Sequence, residues 1–589
     1  MNTTSERRRR ARRAMPVVVL AAMAFSLGAI FGGGHHGSAQ QSLAEQFARA
    51  WTRGDYPEMY GDIDAAAQRR ISVSAFAGAY RSAGRTATET RLKVIGGARK
   101  DSDGTITIPM RVATRLWGSF EERLRLRVNG TPAGPRVMWE RSLVFPGLSE
   151  GESLGRRTSL PARAALLARD GTVLADGEAS GAGARSSPLG AAAAGVVGDV
   201  GPIPAAQRAE LESQGVPADA IVGTSGLELA LDERLRGRPG GELLAGGRVL
   251  ASTVARPSPA VRTTISPAVQ QAAATALGDQ LGGVVALDPA NGEILAVAGI
   301  GIDDLQPPGS TFKMVTLTAV LEAKIARASS VFPYATSSTL DGVKLENANG
   351  ESCGGSLALA FAVSCNSVFA PLGVKVGAAR LVSTAERFGF NHAPGVEGAV
   401  ESTLPPADQI QGELDTGSTA IGQGQVQASA LQMVTVAATI ADGGRRPAPT
   451  FQARHATRPR VISASTAHTV RRLMIGVVRE GTGTSAAIPG VVVAGKTGTA
   501  ELGTPSCPEG SEHGSEGEES ETGEETEASQ SGEGCSSGGK DPQNTDAWFA
   551  AFAPASRPRI AVGVLLVKDG AGGETAAPVA RQVLESGLR

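Results

Sequence analysis

The stretch Pro307-Pro308-Gly309-Ser310-Thr311-Phe312-Lys313 is followed by an apolar segment, Met314 to Val320, with helical spacing. Because proline suits the first turn of a helix, this pattern predicts Ser310 at a helix N-terminus, with Lys313 one turn later on the same face. A serine hydroxyl needs a base to take its proton. Lysine can be that base only where its ammonium form is disfavoured, and the positive end of a helix and apolar walls both have this effect.

Lysine is rare in this chain, at nine of the 57 basic residues, and the rest are arginines. Arginine cannot accept a proton at physiological pH. A lysine at position 313 is therefore the residue that the chemistry requires. The segment Ser537-Gly538-Gly539-Lys540 has the same spacing, but it is rich in glycine and predicts no helix, so we assign it no role.

A second motif, Ser364-Cys365-Asn366, is the only Ser-x-Asn in the chain and follows the apolar stretch Leu357 to Val363. A hydroxyl and a carboxamide two positions apart can face one cavity from a loop. We expect Ser364 to pass a proton between Lys313 and a leaving amine, and Asn366 to bind an amide of the substrate. The alternative is that the tripeptide caps the helix that follows it.

The third motif, Lys496-Thr497-Gly498-Thr499, contains the only Lys-Thr-Gly and is predicted to end a strand that begins at Val491. Lys496 and the hydroxyls of Thr497 and Thr499 can bind a substrate carboxylate. Gly498 would leave room for a substrate backbone along the strand edge. The backbone N–H groups of Ser310 and Thr499 are candidates for an oxyanion hole. The alternative is a surface strand with a solvated lysine.

The order Ser-x-x-Lys, Ser-x-Asn, Lys-Thr-Gly resembles the signature of serine penicillin-binding proteins and class A β-lactamases. Together with Gly422 to Val426, Leu431-Gln432-Met433 and Gly481-Thr482-Gly483, it resembles the transpeptidase domain of class B penicillin-binding proteins over residues 266–589. The chain departs from that family at Ser266, where aspartate is usual, and in the short link from Gly299 to Pro307.

This resemblance implies a D,D-transpeptidase of peptidoglycan synthesis. Ser310 would attack the D-Ala-D-Ala end of a stem peptide, a second strand's amine would resolve the acyl-enzyme, and β-lactams would acylate the same serine. The resemblance implies that no metal or cofactor is needed and that a glycosyltransferase is the partner in a cell-wall synthesis complex. The alternatives are an anchored serine acylase that hydrolyses or senses β-lactams, and a non-catalytic cell-wall scaffold.

The N-terminus carries six arginines between Arg7 and Arg13, followed by an uncharged stretch from Ala14 to Phe31. We interpret residues 1–13 as a cytoplasmic basic tail and 14–33 as a transmembrane signal-anchor helix. This predicts a single-pass protein of the cell membrane with an extracytoplasmic catalytic domain. The alternative is a cleaved signal peptide, because Gly37-Ser38-Ala39 has the small residues of a cleavage site.

The remaining chain predicts a multidomain α+β protein. Residues 41–150 read as helices followed by antiparallel sheet and resemble the NTF2-like (MecA-type) module. Residues 156–265 resemble the family's β-rich dimerisation or pedestal domain, through Arg163, Arg169-Asp170-Gly171, Gly226-Leu227-Glu228 and Leu235-Arg236-Gly237. Within them, Gly177 to Val200 is predicted to be a flexible insertion. By the resemblance given above, residues 266–589 are expected to form a transpeptidase domain with a central antiparallel sheet and helices, carrying an acidic insert over 503–541 that we predict to be disordered.

Formal charges nearly cancel, at a net -1, which gives no electrostatic argument for a nucleic-acid partner. All four cysteines follow the predicted anchor, where disulfides persist. Proximity in the sequence suggests Cys353 with Cys365 and Cys507 with Cys535, which is one of three possible pairings. Free buried thiols remain the alternative.

Overall fold

The computed structural model describes residues 38–132, 134–177, 182–396, 398–453, 457–501 and 544–589. The predicted anchor at 14–33, the acidic insert at 503–541, Cys507 and Cys535 lie outside the described residues. Among the residues described, no single helix is long and apolar enough to cross a membrane. One pair of consecutive helices, Asn366–Val376 and Ala378–Phe388, meets the length and composition criteria when the two are taken together, across a bend of 100°.

The helices in chain order are α1 Ala39–Arg53, α2 Tyr56–Asp62, α3 Ala65–Arg70, α4 Val73–Thr86, α5 Ala191–Val197, α6 Ala205–Ser213, α7 Gly226–Ala230, α8 Asp232–Leu235, α9 Pro267–Leu277, α10 Lys313–Glu322, α11 Leu357–Ala362, α12 Asn366–Val376, α13 Ala378–Phe388, α14 Gly412–Ala420, α15 Ala430–Ala441, α16 Ala464–Glu480 and α17 Ala576–Leu588.

The strands are β1 Glu89–Val94, β2 Arg99–Lys100, β3 Ile106–Thr114, β4 Gly118–Thr131, β5 Gly134–Met138, β6 Leu154–Ser159, β7 Leu166–Leu167, β8 Val173–Ala175, β9 Val200–Pro202, β10 Ile221–Gly223, β11 Gly240–Ala245, β12 Arg248–Thr253, β13 Val261–Arg262, β14 Gly282–Leu287, β15 Ile294–Gly299, β16 Val331–Ala335, β17 Ser337–Leu340, β18 Val343–Glu346, β19 Cys353–Ser356, β20 Ala494–Glu501, β21 Thr545–Ala553 and β22 Ile560–Leu566.

Unit 1 contains the described residues up to Pro161, with Ala205–Ala218 and Arg238–Arg256. Helices α1 to α4 pack on one face of an antiparallel sheet in the order β1-β3-β4-β5, with β2 also paired to β3. Phe47 and Trp51 on α1 are buried in the same cluster as sheet residues such as Ile108 and Leu124. A second sheet, in the order β12-β11-β6, completes the unit.

Unit 2 contains Ala162–Pro204, Asp219–Gly237 and Pro257–Arg589. The segment 156–265, which we predicted to form one domain, therefore contributes residues to both units. The predicted flexible insertion at Gly177 to Val200 is wrong in its second half, where α5 buries Ala193, Val196 and Val197. Alanine loses no side-chain entropy on burial, so a segment rich in alanine can form a packed helix as well as a flexible loop.

The five-stranded antiparallel sheet of unit 2 has the order β15-β14-β22-β21-β20. Strands β14 and β15 form an antiparallel hairpin, with Val284 opposite Ala298. One face, which includes Val285 and Trp548, packs against a layer that contains α10 to α13 and α15, and the other packs against α9 and α17. Strand β20 lies at the edge of this sheet, beside the turn that precedes α10.

Candidate active site

Ser310 lies in a short 3₁₀ turn, Gly309–Phe312, that leads directly into α10. The turn is fixed at its start, where the Thr311 hydroxyl donates to the Pro308 carbonyl at 2.6 Å. The Gly309 N–H donates to the Gly422 carbonyl at 2.9 Å. The α-helix begins at Lys313 itself, so Ser310 and Lys313 span the junction of the turn and the helix.

Lys313 is fully buried and its Nζ contacts four oxygen atoms. It lies 2.9 Å from Ser310 Oγ, 2.7 Å from the Ser364 carbonyl oxygen, 3.3 Å from Ser364 Oγ and 2.6 Å from Asn366 Oδ1. The carbonyl and carboxamide oxygens can only accept hydrogen bonds. A neutral amine would give its two N–H groups to them and turn its lone pair to the Ser310 hydroxyl. The geometry therefore suits transfer of the Ser310 proton to Lys313.

Ser364 lies in the break between α11 and α12, as the sequence predicted, and Asn366 is the first residue of α12. Ser364 has a positive φ of 64°, a conformation that costs a non-glycine residue about 1–3 kcal/mol. Its Oγ accepts from Lys496 Nζ at 2.9 Å instead of capping α12. Asn366 Nδ2 donates to the Glu346 carbonyl at 2.8 Å, which orients Oδ1 toward Lys313.

Lys496 is fully buried, which excludes the solvated-lysine alternative. Burial lowers the pKa of its amine to about 7. Besides Ser364, Nζ donates to the Thr497 carbonyl at 3.0 Å. Ser364 thus lies between the two lysines, within hydrogen-bond distance of both amines.

The predicted strand boundaries around the Lys-Thr-Gly motif are wrong. Strand β20 runs from Ala494 to Glu501 and contains the motif at its centre, whereas Val491 makes only an isolated bridge to Ile488. Lys496 pairs with Ala550 of β21. The apolar run Val491 to Val493 suggested too early a start for the strand. The residues of β20 that are buried beside the site, such as Lys496 and Thr497, are polar and gave no apolar pattern.

Gly498 has a different steric role from the one expected. A Cβ atom on this residue would lie 2.7 Å from the Pro308 carbonyl oxygen and 2.9 Å from Trp548 Cβ. The space is therefore occupied by the chain's own turn before Ser310, and glycine allows β20 to approach that turn closely. The proposed oxyanion-hole role of the Ser310 and Thr499 N–H groups stays a prediction.

Comparison with known proteins agrees with this arrangement. Residues 282–515 and 522–585 match the family model for the penicillin binding protein transpeptidase domain. Residues 180–259 match the penicillin-binding protein dimerisation domain, and 39–152 match the NTF2-like N-terminal transpeptidase domain. The chain belongs to the class B penicillin-binding proteins.

Among relatives of this penicillin-binding protein, the peptidoglycan D,D-transpeptidase PbpA of Mycobacterium tuberculosis is 32% identical over 402 residues, covering 56% of this chain and 72% of the relative. The Mycolicibacterium smegmatis PbpA is 33% identical over 437 residues, covering 62% and 80%. The crystal structure of M. tuberculosis PBPA matches with a TM-score of 0.52 and 27% identity, over 72% of this chain and 99% of that one.

A disulfide joins Cys353 at the start of β19 to Cys365, the residue between Ser364 and Asn366, with a Cα–Cα distance of 5.8 Å. The Ser-x-Asn motif is thereby tied covalently to β19. The pairing of Cys507 with Cys535 falls outside the described residues.

Two supporting residues were missed by sequence reasoning. Thr482 Oγ1 lies 2.6 Å from Thr497 Oγ1, and the Thr482 N–H donates to the Ala362 carbonyl at 3.1 Å, so this residue links β20 to the end of α11. Its motif, Gly481-Thr482-Gly483, had been noted without a role. Asn347 is buried, and its Oδ1 accepts from the Ser367 N–H at 2.8 Å, next to Asn366. No pattern in the sequence pointed to Asn347.

Within the part of the chain that the structure describes, no group of three or more His, Cys, Asp or Glu side chains is placed to hold a metal ion. The functional groups brought together at this site are two lysine amines, two serine hydroxyls and one carboxamide.

Proposed function

We propose that this chain is a peptidoglycan D,D-transpeptidase that cross-links stem peptides through an acyl-enzyme on Ser310 and binds penicillin covalently at the same residue. The observation that carries the proposal is the 2.9 Å contact between Lys313 Nζ and Ser310 Oγ, together with the Ser364 carbonyl oxygen and Asn366 Oδ1, which can only accept hydrogen bonds from that amine. The names of its relatives support the assignment. An imipenem acyl-enzyme complex of M. tuberculosis penicillin-binding protein A, with 27% identity and a TM-score of 0.53, supports covalent penicillin binding.

In the acylation step, Lys313 takes the Ser310 proton as Ser310 Oγ bonds to the carbonyl carbon of the penultimate D-alanine. The carbonyl electrons move to oxygen, and the N–H groups of Ser310 and Thr499 are proposed to stabilise that anion. When the intermediate collapses, the C–N bond breaks and the terminal D-alanine leaves as an amine. Ser364 is placed to relay the proton from Lys313 to this amine, which returns Lys313 to its neutral form.

In the second step, the amine of another stem peptide attacks the ester carbonyl and loses a proton to Lys313, and Ser310 leaves with its hydroxyl restored. Asn366 is proposed to bind a substrate amide. Lys496, Thr497 and Thr499 are proposed to bind the terminal carboxylate. Every step uses side chains of this chain and the two peptides, and no cofactor takes part.

A fluorescent penicillin tests this proposal. We expect it to label the full chain in detergent at one site, and we expect Ser310→Ala to abolish the label. Mass mapping of the modified peptide should give the turn that contains Ser310. Labelling that survives Ser310→Ala would remove this serine from the mechanism, and rapid loss of the adduct would favour the β-lactam hydrolase instead.

We also propose that residues 14–33 anchor the chain in the cell membrane, with the catalytic domain outside the cytoplasm. The uncharged stretch from Ala14 to Phe31 and the arginines before it support this orientation. A glycosyltransferase of the same membrane is the proposed partner, because cross-linking needs newly made glycan strands. Fractionation of cells should recover the chain with membranes, resistant to alkaline extraction; release by carbonate would contradict the anchor.

A further inference from the structure

The outer side of the unit 1 sheet carries a concentration of positive charge. Along β4, Leu124, Leu126 and Val128 are buried, and the alternate side chains are exposed arginines. Successive arginines on one side of a strand lie about 7 Å apart. The basic face consists of the exposed side chains of Arg91, Lys93, Arg99, Arg111, Arg123, Arg125 and Arg127.

Few carboxylates neutralise the basic face. In the sheet register Arg123 lies opposite Pro109, Arg125 opposite Thr107 and Arg127 opposite Met138. Lys93 lies directly opposite Arg111, a like-charge pair that destabilises a sheet. Four carboxylates among the described residues lie beside these cations: Glu121 pairs with Arg111 at 2.6 Å, Asp101 with Arg99 at 3.3 Å, Asp103 lies near Arg125, and Glu122 lies near Arg123. Seven cations against four anions leave a local excess of positive charge in a chain of net charge -1.

The chain enters unit 1 at one end of the basic face. Gln40, on the first turn of α1, donates from Nε2 to the Val128 carbonyl at 2.9 Å and accepts from Lys100 Nζ at 2.9 Å. Val128 follows Arg127, and Lys100 follows Arg99. Seven residues, 32–38, separate α1 from the end of the uncharged stretch, and seven residues reach at most about 25 Å.

We propose that the basic face binds anionic phospholipid headgroups of the membrane that holds the anchor. The inference rests on the anchor proposed above, which brings the start of α1 within reach of the lipid surface. Guanidinium groups bind phosphate oxygens in a bidentate manner. The attraction of cations to an anionic leaflet extends only over the screening length, about 8 Å at physiological salt, so a face next to the anchor is where such cations act.

The test uses the full chain in lipid nanodiscs of phosphatidylcholine, with or without about one third phosphatidylglycerol. A photoreactive p-benzoylphenylalanine replaces Asn129, an exposed residue two positions after Arg127 on the same side of β4. After illumination, mass spectrometry counts lipid adducts on that peptide. We expect at least fivefold more adduct with phosphatidylglycerol, since each cation near an anionic surface strengthens binding roughly fivefold. About 1 M salt, where screening acts within about 3 Å, should abolish the difference.

Paired variants locate the effect. Arg125→Glu with Arg127→Glu should reduce the adduct to the level of phosphatidylcholine discs, and the Gln versions should give an intermediate loss. The matched control, Arg69→Glu with Arg70→Glu on α3, changes the charge of unit 1 equally and should keep the adduct. Equal adduct in both lipids, or equal loss in the control, overturns the proposal. The proposal is also overturned if polyphosphate binds the basic face but no lipid adduct forms in phosphatidylglycerol discs. That result would assign the basic face to a soluble polyanion.

Retention of the chain in discs of phosphatidylcholine alone reports on the anchor. Penicillin labelling of the same samples reports on Ser310. A failure of either is therefore distinguishable from a failure of the basic face.

Discussion

Lys313 and Lys496 are both fully buried, but their surroundings give them different tasks. The Lys313 amine has two carbonyl-type acceptors and the nucleophile around it. The Lys496 amine contacts the Ser364 hydroxyl and a backbone carbonyl. The first arrangement suits proton transfer, and the second suits a cation held ready for a carboxylate.

The proposed base can be removed without adding volume. Lys313→Met is expected to slow acylation by penicillin about 10²- to 10⁴-fold, the usual contribution of a positioned base. The measurement is the second-order rate constant for labelling. Thermal unfolding should show that the variant is folded, because methionine leaves no buried charge. Acylation of the variant at the parental rate would exclude Lys313 as the base.

The lowered pKa of Lys496 predicts a pH dependence. Its ammonium form predominates only below about pH 7, so the positive charge that attracts a carboxylate is lost as pH rises through that value. The second-order rate constant for acylation by benzylpenicillin should therefore fall above about pH 7. The methyl ester of the same penicillin has no carboxylate, so its rate constant should not fall above about pH 7. An identical fall for the ester would show that the titrating group does not act through the carboxylate.

At the level of single residues, the three motifs predicted which side chains would meet. Ser310, Lys313, Ser364, Asn366 and Lys496 are joined by contacts of 3.3 Å or less. The burial of Lys496 could not be predicted, because its neighbours Phe361 and Ser364 come from a distant part of the chain. Asn347 was missed for the same reason, since its partners are backbone groups on other elements.

Elements meet at the site through Thr482, which connects β20 with α11. Thr482→Val keeps the shape and removes the hydroxyl, so Thr497 loses its 2.6 Å partner. We expect kcat/KM for acylation to fall up to about tenfold, the effect of one hydrogen bond. Thr482→Ser should restore most of the rate. If the valine and serine variants are equally slow, packing of the methyl group and not the hydroxyl positions Thr497.

Strands β14, β15, β21 and β22 are marked in the sequence by largely apolar runs, because their residues are buried on both faces. The same rule placed β20 too early. This strand belongs to the sheet, but two of its central side chains, Lys496 and Thr497, are polar and buried for the sake of the site. A search for apolar patterns misses a strand whose buried residues are polar because they serve the active site.

On the scale of the whole molecule, unit 2 contains a buried ion cluster built from distant segments. Arg163 donates to Glu228 at 2.7 Å and to Asp232 at 2.8 Å, and Arg185 contacts the other Glu228 oxygen at 2.7 Å. Arg236 also pairs with Asp232. The sequence singled out Arg163, Glu228 and Arg236 only as parts of family motifs, and their contact follows from the fold.

Glu228 has no exposed side-chain surface, so neutralising it leaves two guanidinium groups short of a partner. Glu228→Gln should destabilise unit 2 by about 3–5 kcal/mol, the usual effect of breaking a buried pair. Denaturant unfolding measured by tryptophan fluorescence would report it. As a control, Glu585→Gln breaks a partly exposed pair with Arg581 and should cost about 0–1 kcal/mol. Equal stability of both variants would contradict this account.

The division of the chain into two units of three segments each could not be predicted from the sequence, since no change in composition marks the borders between the segments at Pro161, Pro204, Ala218, Gly237 and Arg256. Periodicity identifies elements, but only tertiary contacts decide which elements share a core. Leu166, Leu174 and Leu235 lie before the predicted boundary at Ser266, yet they belong to the same core as Phe312 and Trp548.

For anyone who wishes to excise the catalytic portion, this path of the chain has a practical consequence. A truncated version beginning at Ser266 would discard Leu166, Leu174 and Leu235 and leave their apolar neighbours bare to solvent. Such a fragment should aggregate on refolding. A minimal soluble form will need to keep the earlier segments of unit 2, Ala162–Pro204 and Asp219–Gly237. The residues between these segments could be replaced by short designed loops.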